Sequence, residues 1–308
     1  MGFPKRRLIS LVTASSLVSL VGCSGESNEV IDSRPNIVVS YSILGSVVRD
    51  LVGDAGSVTV LMPNGSDPHE WQPSAKDIET LNEADLVVVN GLGLEGGLRD
   101  ILDQAEADGV EIFAATDYID LRLVGAGEGA DPADEDQAEG AEDPHLWTNP
   151  LAMVDVVEAL GQVLGDLGIE VSEQVGVVSE DLETLDNEIL ESLKVLETDQ
   201  RKLVTGHESL GYFAERYGFT LTGAIIPSLS SGAESTAADM TALKLKIQEQ
   251  NVTVIFTELG TSSDVAKSLA DDAGVNVVEI STHLLPQDGT YRTFMKELAS
   301  TILTALRT

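Results

Sequence analysis

Residues 149–197 read NPLAMVDVVEALGQVLGDLGIEVSEQVGVVSEDLETLDNEILESLKVLE, and no part of this stretch has the pattern of a β-strand. Asn149 is a favoured N-cap residue, and Pro150 suits the first position of a helix. Apolar residues recur at spacings of three and four over residues 182–196, as on one face of a helix. Gly165 and Gly168 indicate a break in the helical pattern. The stretch therefore predicts two consecutive helices in the middle of the chain.

On both sides of this helical stretch, short β-rich runs alternate with segments of helical spacing. The predicted strands are 36–40, 57–61, 85–90 and 110–114 before it, and 202–205, 219–224, 252–257 and 275–280 after it. The predicted helices are 42–52, 74–83 and 96–108 before it, and 210–217, 236–250, 262–273 and 291–306 after it. Such alternation is typical of parallel sheets covered by helices.

The predicted fold class is therefore α/β, with two lobes that are each a parallel sheet flanked by helices and are joined by a long rigid backbone helix. The N-terminal lobe would span residues 35–148, the linking helices 149–200 and the C-terminal lobe 201–308. Ligands of open parallel sheets bind at the carboxyl ends of the strands. We therefore expect the ligand cleft where the strand ends of the two lobes face each other.

The first 34 residues have the pattern of an export signal followed by a tether. Lys5, Arg6 and Arg7 precede an apolar run of 14 residues, 8–21, which is shorter than the roughly 20 residues that span a bilayer. Gly22 and Cys23 close the run, as in the lipobox of a bacterial or archaeal lipoprotein. We expect 1–22 to be a signal peptide, Cys23 to carry the lipid and 23–34 to be a tether. The alternative is an ordinary secretory signal with an incidental cysteine.

Composition restricts the possible functions. The 308 residues include 52 Asp and Glu against 18 Lys and Arg, a formal net charge of −34, which excludes nucleic-acid binding through a basic face. Hydrophobic residues make up 43% of the chain, as in globular proteins. Residues 125–143 are rich in Gly, Ala and acidic side chains without apolar periodicity, and they predict a solvated loop. This loop is either a weak collector of cations or an acidic insert without a role.

The chain has only four histidines, and their positions point to a metal site. His69 and His145 each follow an Asp-Pro pair and precede a Trp by two residues, and these are the only two tryptophans. His207 and His283 follow two of the predicted strands. Imidazole nitrogens suit Zn(II) better than Mg(II), Ca(II) or Mn(II). A single histidine is usually only a hydrogen-bonded polar residue, but the repeated context and the strand-end positions favour four ligands in one site.

These segments resemble the cluster A-I solute-binding lipoproteins of metal-type ABC transporters, a family of zinc and manganese receptors. The resemblance extends from about residue 35 to the C-terminus. The matching segments are PHEWQP at 68–73, NGLGLE at 90–95, PHLWTNP at 144–150, TGHESLGYF at 205–213, AES at 233–235 and IFTE at 255–258.

The resemblance implies two α/β lobes bridged by a long helix, with one metal ion buried between them. It implies that His69, His145 and His207 are ligands. By the same resemblance, manganese members of the family have Glu at the position that corresponds to His207, so a histidine there favours zinc. The fourth ligand of the family is commonly acidic and precedes a block that resembles Asp288-Gly289-Thr290-Tyr291. His283 lies near that position here, which leaves Glu258 or a water molecule as alternatives.

The implied function is an extracytoplasmic, lipid-anchored and monomeric Zn(II) receptor that delivers metal to an ABC permease and its ATPase. A manganese or iron receptor of the same family is the alternative, and a zinc-dependent hydrolase is the alternative from another class. A hydrolase needs an open coordination position and a general base, whereas four protein ligands close the site. An adhesion role, as reported in the family, is a further possibility.

Two other motifs carry less weight. Residues 91–96 fit the G-x-G-x-x-G pattern of dinucleotide-binding proteins, but the family resemblance explains them as a helix entry. Residues 206–211 resemble a hydrolase nucleophile elbow, but His207 stands where that motif requires Gly. The chain also lacks the second His that a helical metalloprotease motif needs after His69-Glu70 or His207-Glu208.

Overall fold

The computed structural model describes residues 34–125, 128 and 139–307. Cys23, the predicted signal peptide, all but the last residue of the predicted tether and most of the acidic loop lie outside the described residues. Arg34–Thr308 forms one compact unit. Within the described residues, no helix has both the length and the apolar character needed to cross a membrane.

The first half of this unit is a parallel sheet of four strands in the order β2-β1-β3-β4. The strands are β1 (Asn36–Val39), β2 (Ser57–Val60), β3 (Leu86–Val89) and β4 (Glu111–Ala114). Their helices are α1 (Ser42–Val52), α2 (Ala75–Asn82) and α3 (Arg99–Ala107). Every residue of β3 is buried, as expected for a central strand whose two faces are both covered.

Two long helices follow, α4 (Pro150–Asp166) and α5 (Ser172–Leu193). The Asn149 side chain accepts a hydrogen bond from the backbone N–H of Leu151, which caps α4 as predicted. Gly168 has a φ of 78°, a left-handed conformation that glycine adopts without strain. This residue allows the turn between α4 and α5.

The second half contains four further strands in two parallel pairs, β5 with β6 and β7 with β8, and β5 also lies against β7. The strands are β5 (Lys202–Thr205), β6 (Thr220–Ala224), β7 (Val254–Thr257) and β8 (Asn276–Glu279). The helices are α6 (Gly211–Tyr217), α7 (Ala237–Glu249), α8 (Ser263–Ala273) and α9 (Tyr291–Leu306). Helix α5 packs against α1 of the first half and α9 of the second.

The α/β class and the parallel strands confirm the prediction, and the predicted strands agree with the structure to within two residues at either end. The largest difference is α3, which begins at Arg99 instead of residue 96 because Gly96–Leu98 form a short 3-10 turn. Glycine is a poor helix former, and a Cβ on Gly97 would lie 2.2 Å from the carbonyl oxygen of Trp71. One buried apolar cluster includes residues from β1, α5, β5 and α9. The lobe boundaries and the rigid helical link remain predictions.

Candidate metal centre

The four histidines lie on four different connections of the fold. His69 is in the loop between β2 and α2, and His145 directly precedes the 3-10 turn Leu146–Thr148 that leads into α4. His207 comes two residues after β5, and His283 four residues after β8. The structure brings all four side chains together, although His69 and His283 are 214 positions apart in the sequence.

The ring nitrogens of the four histidines form two overlapping groups with short separations. His145 Nε2 lies 3.3 Å from His69 Nε2 and 3.3 Å from His207 Nε2. One ring nitrogen each from His69, His207 and His283 form a group whose members lie within 4.8 Å of one another. In a tetrahedral zinc site with Zn–N bonds of about 2.0–2.1 Å, neighbouring nitrogens are roughly 3.3–3.4 Å apart. The two shortest separations therefore have the length of a tetrahedral edge.

Burial keeps part of this cluster uncharged. His145 and His207 are fully buried, and His283 is 3% exposed. Burial, together with the neighbouring imidazoles, lowers the pKa of His69 well below its usual value and the pKa of His283 to about 4. The Nε2 atom of His283 is buried and has no hydrogen-bond partner among the described residues. Neutral imidazoles with an unused buried nitrogen are suited to a transition-metal ion.

The aspartates of the two Asp-Pro-His segments orient the histidines that follow. Asp67 Oδ1 accepts a hydrogen bond of 3.0 Å from the backbone N–H of His69, and Asp143 Oδ1 accepts one of 2.9 Å from that of His145. Asp143 Oδ1 also lies 2.8 Å from His145 Nδ1. This contact holds the Nδ1–H tautomer, so that the Nε2 lone pair faces the cluster. This role of the aspartates was not predicted from the sequence, although an Asp two residues before each His is a recognisable Asx-turn signal.

Glu258, an alternative fourth ligand in the sequence analysis, lies behind the histidines. Its carboxylate accepts hydrogen bonds from Ser209 Oγ, at 2.7 and 2.8 Å, and from Thr282 Oγ1. It also lies 3.3 Å from His207 Nδ1, on the side of the ring opposite the cluster nitrogen. Thr282 Oγ1 lies in turn 2.8 Å from His283 Nδ1. Glu258 therefore supports two histidines from behind.

The charge of Glu258 affects both members of its pair with His207. Burial raises the pKa of Glu258, but His207, the hydroxyl of Thr282 and His283 outweigh burial and lower it to about 2. Burial likewise lowers the pKa of His207, but Glu258 outweighs it, and the net shift is upward. His207 thus differs from His69 and His283, because it retains a proton more readily in the metal-free protein.

The two tryptophans of the repeated motif have different environments. Trp147 is fully buried, and its ring centroid lies 5.2 Å from that of His145 and 5.5 Å from that of His283. Its indole N–H donates a hydrogen bond of 2.9 Å to the carbonyl oxygen of Thr282. Trp71 is only half-buried and packs at the edge of the apolar core. Trp147 is therefore a wall of the histidine cluster.

A buried cluster of imidazoles at the strand ends of an α/β protein is typical of a metal-binding protein. The sequence model of the ZnuA family, described as zinc-uptake complex component A periplasmic, matches residues 37–305, and the chain belongs to this family. Its members are non-enzymatic, extracytoplasmic solute-binding receptors of metal ions, and they work with the permease and ATPase of an ABC importer. The family resemblance and the transport class are thereby confirmed.

Individual relatives carry the names of two metals. The manganese-binding lipoprotein MntA of Halalkalibacterium halodurans is 26% identical over 98% of this chain and 99% of its own length. The zinc-binding lipoprotein AdcA of Streptococcus pneumoniae is 29% identical over 87% of this chain, which spans 53% of AdcA. Among solved structures, the periplasmic zinc-binding protein TroA of Treponema pallidum has a TM-score of 0.75 at 24% identity, over 89% of this chain and 99% of TroA. The structural similarity supports the two-lobe α/β fold.

Proposed function

We propose that this chain is a receptor for Zn(II), bound by His69, His145, His207 and His283, that delivers the ion to an ABC importer. The observation that carries the proposal is the clustering of ring nitrogens: His145 Nε2 lies 3.3 Å from those of His69 and His207, and one nitrogen each of His69, His207 and His283 lie within 4.8 Å of one another. Four nitrogen donors suit zinc, because zinc favours tetrahedral sites of N and S ligands whereas manganese favours oxygen donors and higher coordination numbers.

The supporting carboxylates also fit a divalent cargo. Asp143 and Glu258 are both buried, and each contacts the Nδ1 side of a different histidine. They place negative charge next to the nitrogens without occupying a ligand position. A bound dication would therefore be partly neutralised by groups that the protein has already buried.

Manganese is the second candidate cargo, because the relative named for manganese matches nearly the whole of both chains. The two candidates differ in what they require of the site. Manganese binding through these residues would need oxygen ligands in addition to the imidazoles. Among the described residues, the carboxylates of Asp67, Asp143 and Glu258 contact cluster histidines, and these contacts go to backbone N–H groups or to Nδ1 atoms.

Metal analysis of protein purified without added metal, followed by competitive titration with chelators, tests the proposal. We expect zinc to bind far more tightly than manganese. Substitution of any one of His69, His145 and His207 by Ala should weaken zinc binding at least tenfold, or about 1.4 kcal/mol. E70Q is the matched control, because Glu70 follows His69 but is exposed. Unchanged affinity in all three His variants, or preferred binding of manganese, would overturn the proposal.

We also propose that Cys23 carries a lipid that tethers the receptor to the outer face of the cell membrane, and that residues 24–34 form the tether. The support is the apolar run closed by Gly22 and Cys23, together with the word lipoprotein in the names of MntA and AdcA. In cells, wild-type protein should sediment with membranes, and C23A should not be lipidated. A C23A protein that still incorporates labelled fatty acid would contradict the assignment.

A further inference from the structure

Arg122 is a buried cation outside the histidine cluster. Its side chain is only 7% exposed, and its guanidinium contacts three carboxylates. Nη1 donates to Asp143 Oδ2 at 3.1 Å, Nη2 donates to Glu128, and Nε lies 3.5 Å from Glu215 Oε2. Burial disfavours the charge of Arg122, but these carboxylates outweigh burial and raise its pKa, so the guanidinium is fully ionised.

One of these carboxylates connects Arg122 to the metal centre. Asp143 uses Oδ2 for Arg122 and Oδ1 for both the backbone N–H and the Nδ1 of His145. Asp143 is itself completely buried. The contacts therefore form a continuous series from Arg122 through Asp143 to His145, whose Nε2 lies 3.3 Å from two other histidines.

The same arginine is also fixed to the other half of the site. Its backbone N–H donates a hydrogen bond of 3.0 Å to the hydroxyl of Tyr212 on α6, which also carries Glu215. Helix α6 begins four residues after His207. At its first residue, Gly211, an added Cβ would lie 2.1 Å from Asp143 Oδ2 and 2.5 Å from Arg122 Nη1. Because Gly211 has no side chain, the start of α6 can lie directly against the Arg122–Asp143 pair.

We propose that Arg122 is a positioning residue for the metal centre, acting on His145 through Asp143. This inference rests on the proposed function, because it assigns Arg122 a part in metal binding. Loss of the guanidinium leaves the buried Asp143 carboxylate without its cation, which is costly. Asp143 Oδ2 then loses the contact that fixes the carboxylate, and the hold of Oδ1 on His145 Nδ1 weakens. His145 becomes free to adopt the other tautomer, in which Nε2 carries the proton and cannot bind metal.

The test is a double-mutant cycle on zinc affinity with R122Q, D143N and the double variant. Loss of a group that orients a metal-binding histidine typically costs about 10–100-fold in affinity, and we expect this loss for R122Q. Because Arg122 acts through Asp143, R122Q should cost little more in the D143N background. R122K keeps a positive charge but lacks the planar guanidinium group, so its zinc affinity should lie between those of wild type and R122Q.

A matched control separates positioning from general stabilisation. Arg216 also pairs with a buried carboxylate, Asp186, and has no contact with the histidine cluster among the described residues. R216Q should lower the melting temperature but leave zinc affinity unchanged. Equal losses of affinity for R122Q in the wild-type and D143N backgrounds would overturn the proposal, as would a fall in stability alone. If R122Q does not fold, the cycle of R122K with D143N decides in the same way.

A measurement on the metal-free protein tests the effect of Arg122 on His145 separately from zinc binding. Nitrogen-15 chemical shifts of the His145 ring report its tautomer in the apo protein, and we expect Nδ1–H in wild type and a shift toward Nε2–H in R122Q. An unchanged tautomer would overturn the inference even if zinc binds. If wild-type protein does not bind zinc, the proposed function fails, whereas the effect of Arg122 on His145 is still measured.

Discussion

Replacement of Trp147 by Phe should lower both the stability of the protein and its affinity for zinc. The indole is completely buried and lies next to the rings of His145 and His283, and its N–H donates a hydrogen bond to the carbonyl oxygen of Thr282. Phe keeps an aromatic ring at the position but has no donor for that carbonyl. The carbonyl oxygen of Thr282, the residue before His283, therefore loses its hydrogen bond to residue 147.

The size of the effect follows from two contributions. A buried carbonyl left without its donor costs about 1–3 kcal/mol. The smaller ring leaves a void of roughly 40 Å³, which costs roughly 1 kcal/mol at about 24 cal/mol per Å³. We expect W147F to reduce the free energy of unfolding by about 3 kcal/mol. Native proteins are stable by only about 5–15 kcal/mol, so a loss of this size is readily measured.

Urea denaturation of the metal-free protein measures this loss, and chelator competition measures the change in zinc affinity. The matched control is W71F, in the other copy of the Asp-Pro-His-x-Trp motif, where the half-buried side chain packs at the edge of the core. W71F should cost less than about 1 kcal/mol and leave zinc affinity nearly unchanged. Equal effects of W147F and W71F on stability and affinity would refute the assignment of Trp147 as a wall of the site.

Three further predictions concern protons, metal selectivity and salt. Metal ligation needs unprotonated nitrogen, and the pKa values of His69 and His283 are lowered whereas that of His207 is raised. Zinc binding near pH 6 should therefore release one to two protons, not four. Calorimetry in buffers of different ionisation enthalpy counts these protons, and a count of three or more would contradict the prediction. H283D should weaken zinc binding and reduce the difference in affinity between zinc and manganese, because it introduces an oxygen donor. A competitive titration that found the same difference as in wild type would argue against His283 as a ligand. With a net charge of −34, the protein should unfold at higher temperature as KCl is raised from about 0.1 M to about 1 M, where repulsion is screened; a flat dependence in calorimetric scans would contradict this reasoning.

Much of the fold could be predicted because its signals are local. Strand β3 is a run of four apolar residues, and α4 begins at an Asn-Pro pair that specifies a cap and a first turn. The start of α3 was placed three residues too early, and the close approach of Gly97 to the carbonyl oxygen of Trp71, which leaves no room for a Cβ, is a tertiary feature. Helical spacing over residues 96–108 contains no information about that contact.

The histidines were identifiable from their rarity, their repeated motif and their positions after strands. Among their supporting groups, the two aspartates of the repeated motif had a local Asx-turn signal. The arginine and the glutamate were not identifiable, since each depends on contacts between distant parts of the chain. Arg122 reaches Asp143 across 21 positions, and Glu258 reaches His207 across 51. The sequence also presents Trp71 and Trp147 as equivalent, and only packing shows that Trp147 lies against the cluster.

X-ray absorption spectroscopy of the zinc-loaded protein tests the four-histidine zinc site most directly. We predict a first shell of four nitrogens at about 2.0–2.1 Å in wild type. In H283A, one nitrogen should be replaced by an oxygen from water. A wild-type shell that contains oxygen and is unchanged by H283A would contradict the four-histidine site.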